Sequence, residues 1–483
     1  MSDAQSTPHS PRLAVIGGGI SGLSAAYRLM QLMPGAAVEV FEAGGRWGGV
    51  LDTRFTDRLL IERGADSFFN KLPWAADLCQ ELGLADELIP TSEGNRSASV
   101  LCRGRLHPVP EGFVVYRPQR LGPMIRSPIL SWRGKLRMLL EGWVRSPPDL
   151  HSPDYDESVG SFATRQLGAE VFQRLVQPLL AGIYTADPHK LSLAATMPEA
   201  IEALREFGSL RNAARARSSR GEAEASGPRY ASFVTLRRGL AQLVEALASR
   251  LAEHAGHLNA PVRGLLRGED GSWSVEEVDG TRHGPFQGVV LALPAPRAAE
   301  LVHRLDSHLG RLLEKIPYAS SAVVSLVFER GQIAEDVSGF GFVVPTVERR
   351  KILAASFSSQ KFPGRAADDQ LLIRVFVGGA LQPELLQLSD DALCELARAE
   401  LSEILKVRGQ PRHVEMARWP EKMPQYHVGH VKLVADIQRQ IEQLQGLEVA
   451  GNAYHGVGIP QCVHSGEGAA RRLADSMQPP PTR

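Results

Sequence analysis

The stretch Arg12–Gly49 decides the fold: it opens RLAVIGGGISGLSAAYRL and closes VEVFEAGGRWGG. Leu13–Ile16 is a short apolar run with strand character. Gly17, Gly18, Gly19, Ile20, Ser21 and Gly22 follow as GGGISG, which holds G-x-G-x-x-G, and Leu23–Met30 continues with helix formers. Glu42 closes a second apolar strand. Strand, glycine turn, helix, strand and acid, in that order, form the βαβ setting of a dinucleotide site. Gly17 permits the tight turn. Gly19 lets a pyrophosphate come close to the backbone, and Gly22 lets helix and strand pack together. The helix N-terminus faces the phosphates, and Glu42 can accept a hydrogen bond from a ribose 2′-OH. A bare G-x-G-x-x-G also describes an ordinary glycine-rich turn; the surrounding strand, helix and acid give it its meaning.

The residues after Glu42 narrow the cofactor. Arg46, Gly48 and Gly49 stand as E-x-x-x-R-x-G-G. A nicotinamide dehydrogenase has no use for a second glycine pair and an arginine here. The double glycine allows backbone to lie against a second part of a longer cofactor, and Arg46 offers a fixed cation. This resembles the extended fingerprint of FAD-dependent oxidases and desaturases of the amine-oxidase type.

The chain is 483 residues long, enough for two or three structural units and a large core. Lys+Arg and Asp+Glu both number 54, so no global charge points to nucleic acid. Cys79, Cys102, Cys394 and Cys462 are scattered with no C-x-x-C, which indicates neither a zinc motif nor a redox pair and suits a reducing cytosol. No metal ligand set is read from the spacing. Residues 1–11 read as a loose polar tail, and no run reaches 18 apolar residues.

Along the chain the pattern reads as α/β, α+β overall. A discontinuous Rossmann-like FAD-binding domain is expected from residues 1–90, 232–300 and 418–483. An antiparallel-sheet substrate-binding domain is expected from 91–112 and 301–417, and a helical, membrane-facing subdomain from 113–231. Residues 235–254 read as one amphipathic helix, 208–229 as a charged mobile loop. Ala322–Phe328, Phe340–Val344, Ile352–Phe357 and Leu371–Val377 read as strands, followed by a helix over 390–407 capped by Ser389 or Asp390. From Phe113 to Ser146 seven Arg/Lys face one acid, Glu141, with Trp132 and Trp143 interleaved. Such a segment suits an anionic membrane surface or an ordinary surface helix whose arginine stems cover apolar area.

Near the C-terminus Gly451–Gly466 reads GNAYHGVGIPQCVHSG. Gly456 and Gly458 let backbone N–H groups approach a planar ring, and the following helix, from about Glu467, presents its positive end to that loop. A reduced flavin carries negative charge near N1 and C2=O, which a helix N-terminus stabilises.

With these segments in view, the chain resembles the porphyrinogen oxidases of haem synthesis, the protoporphyrinogen and coproporphyrinogen III oxidases. The resemblance rests on GGGISGL with EAGGRWGG, ERGADSFF at Glu62–Phe69, MPQYHVGH at Met423–His430 and AGNAYHGVGIPQCVHSG at Ala450–Gly466. GIYTADPHKLSLAATMP at Gly182–Pro198 and GFGFVVP at Gly339–Pro345 extend it over nearly the whole chain. It implies non-covalent FAD, molecular oxygen and a cyclic tetrapyrrole. By position, Gly17–Gly22, Glu42, Arg46, Gly48, Gly49, Val50, Gly64, Ala65, Asp66 and Ser67 line the cofactor. Val262 meets the adenine side, and Trp419, Gly451, Val457, Gly458 and Ile459 lie near the flavin. A cytoplasmic location follows from the cysteine usage and a peripheral place on the membrane's cytoplasmic face from the basic segment, and a homodimer and hand-over of product to the next haem-pathway enzyme are further expectations.

Making a porphyrinogen aromatic removes six electrons in three two-electron steps. The natural event is hydride transfer from a bridge carbon to flavin N5, with reoxidation by oxygen to hydrogen peroxide. Pyrrole nitrogens can shed protons to water, so no acid–base residue is demanded. The resemblance implies Phe340, Gly341, Val343 and Phe376 for the flat apolar slot and Arg96 for a propionate. Lys71, Arg63 and Arg103 are further cations. His430 and His455 read as buried, hydrogen-bonded histidines. LHPVPEGF at Leu106–Phe113 resembles the coproporphyrinogen-oxidising branch, and Asn95-Arg96 the protoporphyrinogen branch. An amine oxidase or carotenoid-type desaturase, for which Cys462 could supply a flavin tether, and a flavin-less binding protein share the first motif.

Overall fold

A computed structural model describes residues 10–477, apart from 57, 94–96, 115, 116, 119, 220–231, 252–254, 336 and 338. Arg96 falls among the residues left out.

Two sheets organise the molecule. The first has five parallel strands in the order Gly256–His257, Ala37–Phe41, Arg12–Ile16, Gly288–Leu291 and Leu447–Val449. Its central strands read as continuous apolar runs because both faces are covered. On one side lie the first helix, Ile20–Leu32, and the last, Ile459–Ser476, over Leu13, Val15, Val38, Val40 and Val290. On the other, Ala14, Ile16, Phe41, Val289 and Leu291 pack against the helices Ala295–Val302 and Ser307–Glu314 and the small sheet Val262–Arg267, Trp273–Glu277, Arg282–Phe286. Strands from residues 12, 256, 288 and 447 thus share one sheet.

The second sheet has seven strands: His413–Pro424, Tyr318–Glu329, Gln370–Gly378, Ala354–Phe357, Gly341–Val343, Ser99–Cys102 and Arg105–Pro108. All neighbours are antiparallel except Gly341–Val343 with Ser99–Cys102. Phe342, Ala355, Val375 and Val324 share one face, where Leu393, Ala397 and Leu401 of the helix Asp390–Leu405 bury them. The Ser389 hydroxyl caps that helix by accepting from Ala392 N–H. Side chains alternate across a strand, so Gly341, Val343, Ala354, Arg374 and Phe376 share the opposite face.

Residues 121–219 are mainly helical and enclose their own core of Phe162, Leu167, Leu175, Leu180 and Leu204. Three readings of the sequence need correction. Within 208–229, Leu210–Ser219 is a helix, not a loop. Alanine and arginine are good helix formers, Leu210 and Ala213 are buried, and the buried carboxylate of Glu141 accepts the amides of Leu210 and Arg211 at 2.8 and 3.2 Å. The helix expected over 235–254 spans only Ala241–Ala248, because Phe233–Leu236 pairs as a strand and Gly239 turns the chain at φ +82°. The last helix begins at Ile459, not near Glu467, with Pro460 in its first turn. Among the described residues no helix is long and apolar enough to cross a membrane.

Candidate active site

The first helix starts directly on the glycine turn. Its N-cap, Gly19, makes no side-chain capping bond, and no acid stands in its first turn. A Cβ added at Gly19 would meet nothing within 4 Å, so open space lies in front of these amides. A Cβ at Gly22 would fall 1.8 Å from Gly17 O, which is why helix and turn can close so tightly. Gly48 N–H donates to Gly18 O at 2.8 Å and ties the second glycine segment to the turn. Orphan amides at a helix start, facing space with no acid of their own, suit a pyrophosphate.

Glu42 follows directly on the strand Ala37–Phe41 with both oxygens in use: Oε2 accepts from Gly18 N–H at 2.8 Å and Oε1 from Gly44 N–H at 2.7 Å. The backbone amide of Ala260 bonds Glu42 O at 2.9 Å, which brings Val262 close by. Arg46 curls over its own loop, donating to the carbonyls of Trp47, Leu51 and Gly49, and faces Asp52 at 3.3 Å. Its observed contacts therefore organise the loop.

The loop Gly64–Ser67 connects the short strands Leu59–Glu62 and Phe68–Phe69 and lies against the second sheet. Gly64 lies hard against the Val50 carbonyl, and the indole of Trp419 is beside it, donating to Arg63 O at 2.8 Å. Asp66 is gripped by Lys361 of the short helix Ser358–Lys361 at 3.0 Å and by Arg374 of the second sheet at 3.2 Å, and Lys361 also donates to Ser67 Oγ at 2.8 Å. Burial pushes the Asp66 carboxyl up, but the Lys361 and Arg374 charges outweigh it and hold it below the usual carboxylate range. Arg374 further donates to Gly64 O. Arg374 announces itself in the sequence as a lone charge inside LLIRVFVG; Lys361 carries no such signal.

The last helix repeats the logic of the first. Its N-cap, Gly458, has no side-chain capping bond, and its first turn holds no acid. Val457, Gly458 and Ile459 therefore stand at its positive end, two turns earlier than the sequence suggests. Tyr426 clamps the preceding loop: its hydroxyl donates to Asn452 O and accepts from Gly456 N–H at 2.9 Å. The Gly451 amide donates to Ser465 Oγ at 3.0 Å. His430 is buried, stacked on Tyr426 at 4.0 Å, with Nε2 3.3 Å from Tyr454 O, and burial lowers its pKa to about 4. His455 is exposed, contrary to the buried role expected for it. Cys462 is buried beside Ser21, and burial pushes its thiol up to about 12, which leaves it a poor nucleophile for a flavin tether.

On the face of the second sheet opposite the helix Asp390–Leu405, Val343, Ala354, Phe376 and Val323 pair in register as one apolar row. Trp419 lies one row to one side through Ser321, and Arg374 one row to the other. Gly341 has φ +142°, and a Cβ there would fall 2.1 Å from Ala355 O, so the backbone alone requires glycine. The Phe340 ring is buried. Among the other cations, Arg63 is committed to Asp52 at 2.6 Å and Glu415 at 3.0 Å. Arg103 sits in the turn at the sheet's outer edge.

Comparison with known proteins fits this geometry. Residues 20–474 match the family described as flavin containing amine oxidoreductase. The chain belongs to that family. Within it, a coproporphyrinogen III oxidase from Propionibacterium freudenreichii is 34% identical, over 96% of this chain and 91% of its own length. The coproporphyrinogen III oxidase of Bacillus subtilis is 30% identical, over 95% and 96%. Among solved structures, a candidate protoporphyrinogen oxidase from Exiguobacterium sp. 255-15 superposes with a TM-score of 0.85 at 30% identity, covering 97% of this chain and 99% of that one. The flavin-less and desaturase readings give way to membership of a flavin family whose similar members here are porphyrinogen oxidases.

Proposed function

We propose that the protein binds FAD without a covalent link and oxidises coproporphyrinogen III to coproporphyrin III in haem synthesis, with three oxygens reduced to three hydrogen peroxides. The observation that carries this is a pair of uncapped helix N-termini, at Gly19 and Gly458, together with Gly64 set between the Val50 carbonyl and Trp419 and Arg374 of the second sheet. The cradle fits FAD by its donors. Amides at Gly19–Gly22 serve the pyrophosphate, Glu42 the ribose, Val262 the adenine side, and the Val457–Ile459 amides the pyrimidine edge of the ring. Bound flavin supplies a two-electron acceptor that oxygen regenerates.

The chain's own work is positioning. Val343, Ala354 and Phe376 offer a flat apolar surface, and Arg374 and Lys361 hold Asp66 so that Gly64–Ser67 keeps its place between cofactor and substrate. Arg96 is the proposed propionate partner, and Phe340 a wall of the slot. The bacterial relatives named above and the LHPVPEGF segment favour coproporphyrinogen III. Its test is anaerobic: coproporphyrinogen III should bleach the flavin of the loaded protein faster than protoporphyrinogen IX does, and no bleaching by either would end the reading.

The helical part supports a second proposal, contact with an anionic bilayer. Trp132 and Trp143 are 69% and 84% exposed, with Ile125 and Leu136 also exposed, and Arg126, Arg133, Lys135 and Arg145 lie among them. Exposed indoles among cations match the interface of an anionic membrane. A homodimer and product hand-over remain part of the same proposal.

A further inference from the structure

We propose that Glu39, His257 and His283 form a binding site for a divalent transition-metal ion, set apart from the redox centre. The three side chains come from the parallel-sheet strand Ala37–Phe41, its edge neighbour Gly256–His257, and the hairpin strand Arg282–Phe286. One ligand atom from each lies within 4.8 Å of the others. Donor atoms around a tetrahedral zinc stand roughly 3.4 Å apart, so side-chain torsions alone close the set.

The fold holds these groups in place by several independent contacts. Glu39 and Phe41 point to the same side of their strand, and His257 pairs with Phe41 in register. The Phe41 ring stacks on His257 at 4.5 Å and meets His283 edge-on at 4.9 Å, which puts both imidazoles against one aromatic wall, 5.0 Å apart. Glu277 bonds His283 Nε2 at 2.6 Å, the carboxylate–histidine arrangement that orients metal-binding rings. Arg12 holds Glu39 Oε1 at 2.7 Å, while Oε2 faces His257 Nε2 at 3.1 Å. All three residues are half-buried, reachable by an ion yet shielded.

The chemistry rests on this donor set. A metal takes the place of the hydrogen bond between His257 Nε2 and Glu39 Oε2, His257 binding it as the neutral tautomer with its proton on Nδ1. Two imidazoles and one carboxylate favour zinc, nickel or copper over magnesium or calcium, and a fourth position stays open to water. The site also touches the cofactor cradle through backbone: Glu42 N–H donates to His257 O at 2.8 Å. Metal occupancy therefore pins the strand end that carries Glu42. Glu39 and His257 stand 218 residues apart, so no spacing motif could announce the set.

The test uses the flavin-loaded protein, stripped with a chelator and dialysed against zinc. The wild type should take up one equivalent by mass spectrometry of the metal. The His257→Gln/His283→Gln variant should lose it while keeping its flavin absorbance, which shows that the fold survives. Glu277→Gln should weaken uptake by about 10- to 100-fold. No uptake by the wild type, or equal uptake by the double variant, which would assign the zinc to thiols, overturns the proposal.

Discussion

Glu42→Ala probes the cofactor cradle at its acid end. In the protein without cofactor, the substitution removes two acceptors, those of Gly18 N–H at 2.8 Å and Gly44 N–H at 2.7 Å. Glu42 is only half-buried, so water can replace it, and the loss of stability should stay near 1 kcal/mol. In the proposed function the same carboxylate accepts from the ribose when FAD binds. A hydrogen bond to a charged acceptor contributes about 1.5–3 kcal/mol, and the lower end applies at a half-exposed position. About 1.5 kcal/mol is a rise of roughly tenfold in Kd. Titrating the apoprotein with FAD and following the quenching of flavin fluorescence measures this directly, and melting of the apoprotein reports the structural part. Glu42→Gln, which keeps one acceptor oxygen, should fall between. An unchanged Kd in Glu42→Ala, with or without a lower Tm, would refute the ribose role and leave Glu42 as a loop anchor.

Three further outcomes concern other parts of the molecule. Gly466→Ala should destabilise by about 2 kcal/mol or more, because its Cβ would fall 2.1 Å from Ser21 O where the first and last helices touch; urea unfolding with an unchanged midpoint would contradict that packing. His430 has a folded pKa of about 4 against 6.5 when unfolded, so its contribution is complete above pH 6.5 and is lost as pH falls towards 4. On the order of 3 kcal/mol is at stake, and His430→Phe should flatten that part of the stability profile; equal slopes in both proteins would show that His430 does not titrate this way. Trp132→Ser with Trp143→Ser should abolish sedimentation with anionic vesicles while leaving catalytic turnover in detergent-free buffer intact, and equal, salt-insensitive sedimentation of both proteins would remove the membrane contact.

The parts of the site that were legible in the sequence are those where local backbone chemistry does the work. Gly17–Gly22 and Glu42 stand within thirty residues and each answers a short-range demand, a turn, a close approach, an acceptor. The start of the last helix was less legible, because GVGIPQ reads as a loop by composition although proline suits a first helical turn. Residues 210–219 are hard to read for the opposite reason: their charges suit a solvated loop, while burial of Leu210 and Ala213 and the cap from Glu141 make a helix. The grip of Lys361 and Arg374 on Asp66 spans nearly three hundred residues. It depends on where the strand Gln370–Gly378 places Arg374 and where the short helix Ser358–Lys361 places Lys361, which no single segment encodes. The same holds for the apolar row of Val343, Ala354, Phe376 and Val323, whose members are ordinary strand residues until pairing aligns them.

The most direct test of the central claim is oxygen consumption by the flavin-loaded protein with coproporphyrinogen III and protoporphyrinogen IX side by side. The proposed function predicts three oxygens consumed and three hydrogen peroxides formed per coproporphyrin III produced, with kcat/KM higher for coproporphyrinogen III. Preference for protoporphyrinogen IX would contradict the substrate assignment, and no oxygen uptake with either would contradict the porphyrinogen oxidase account itself.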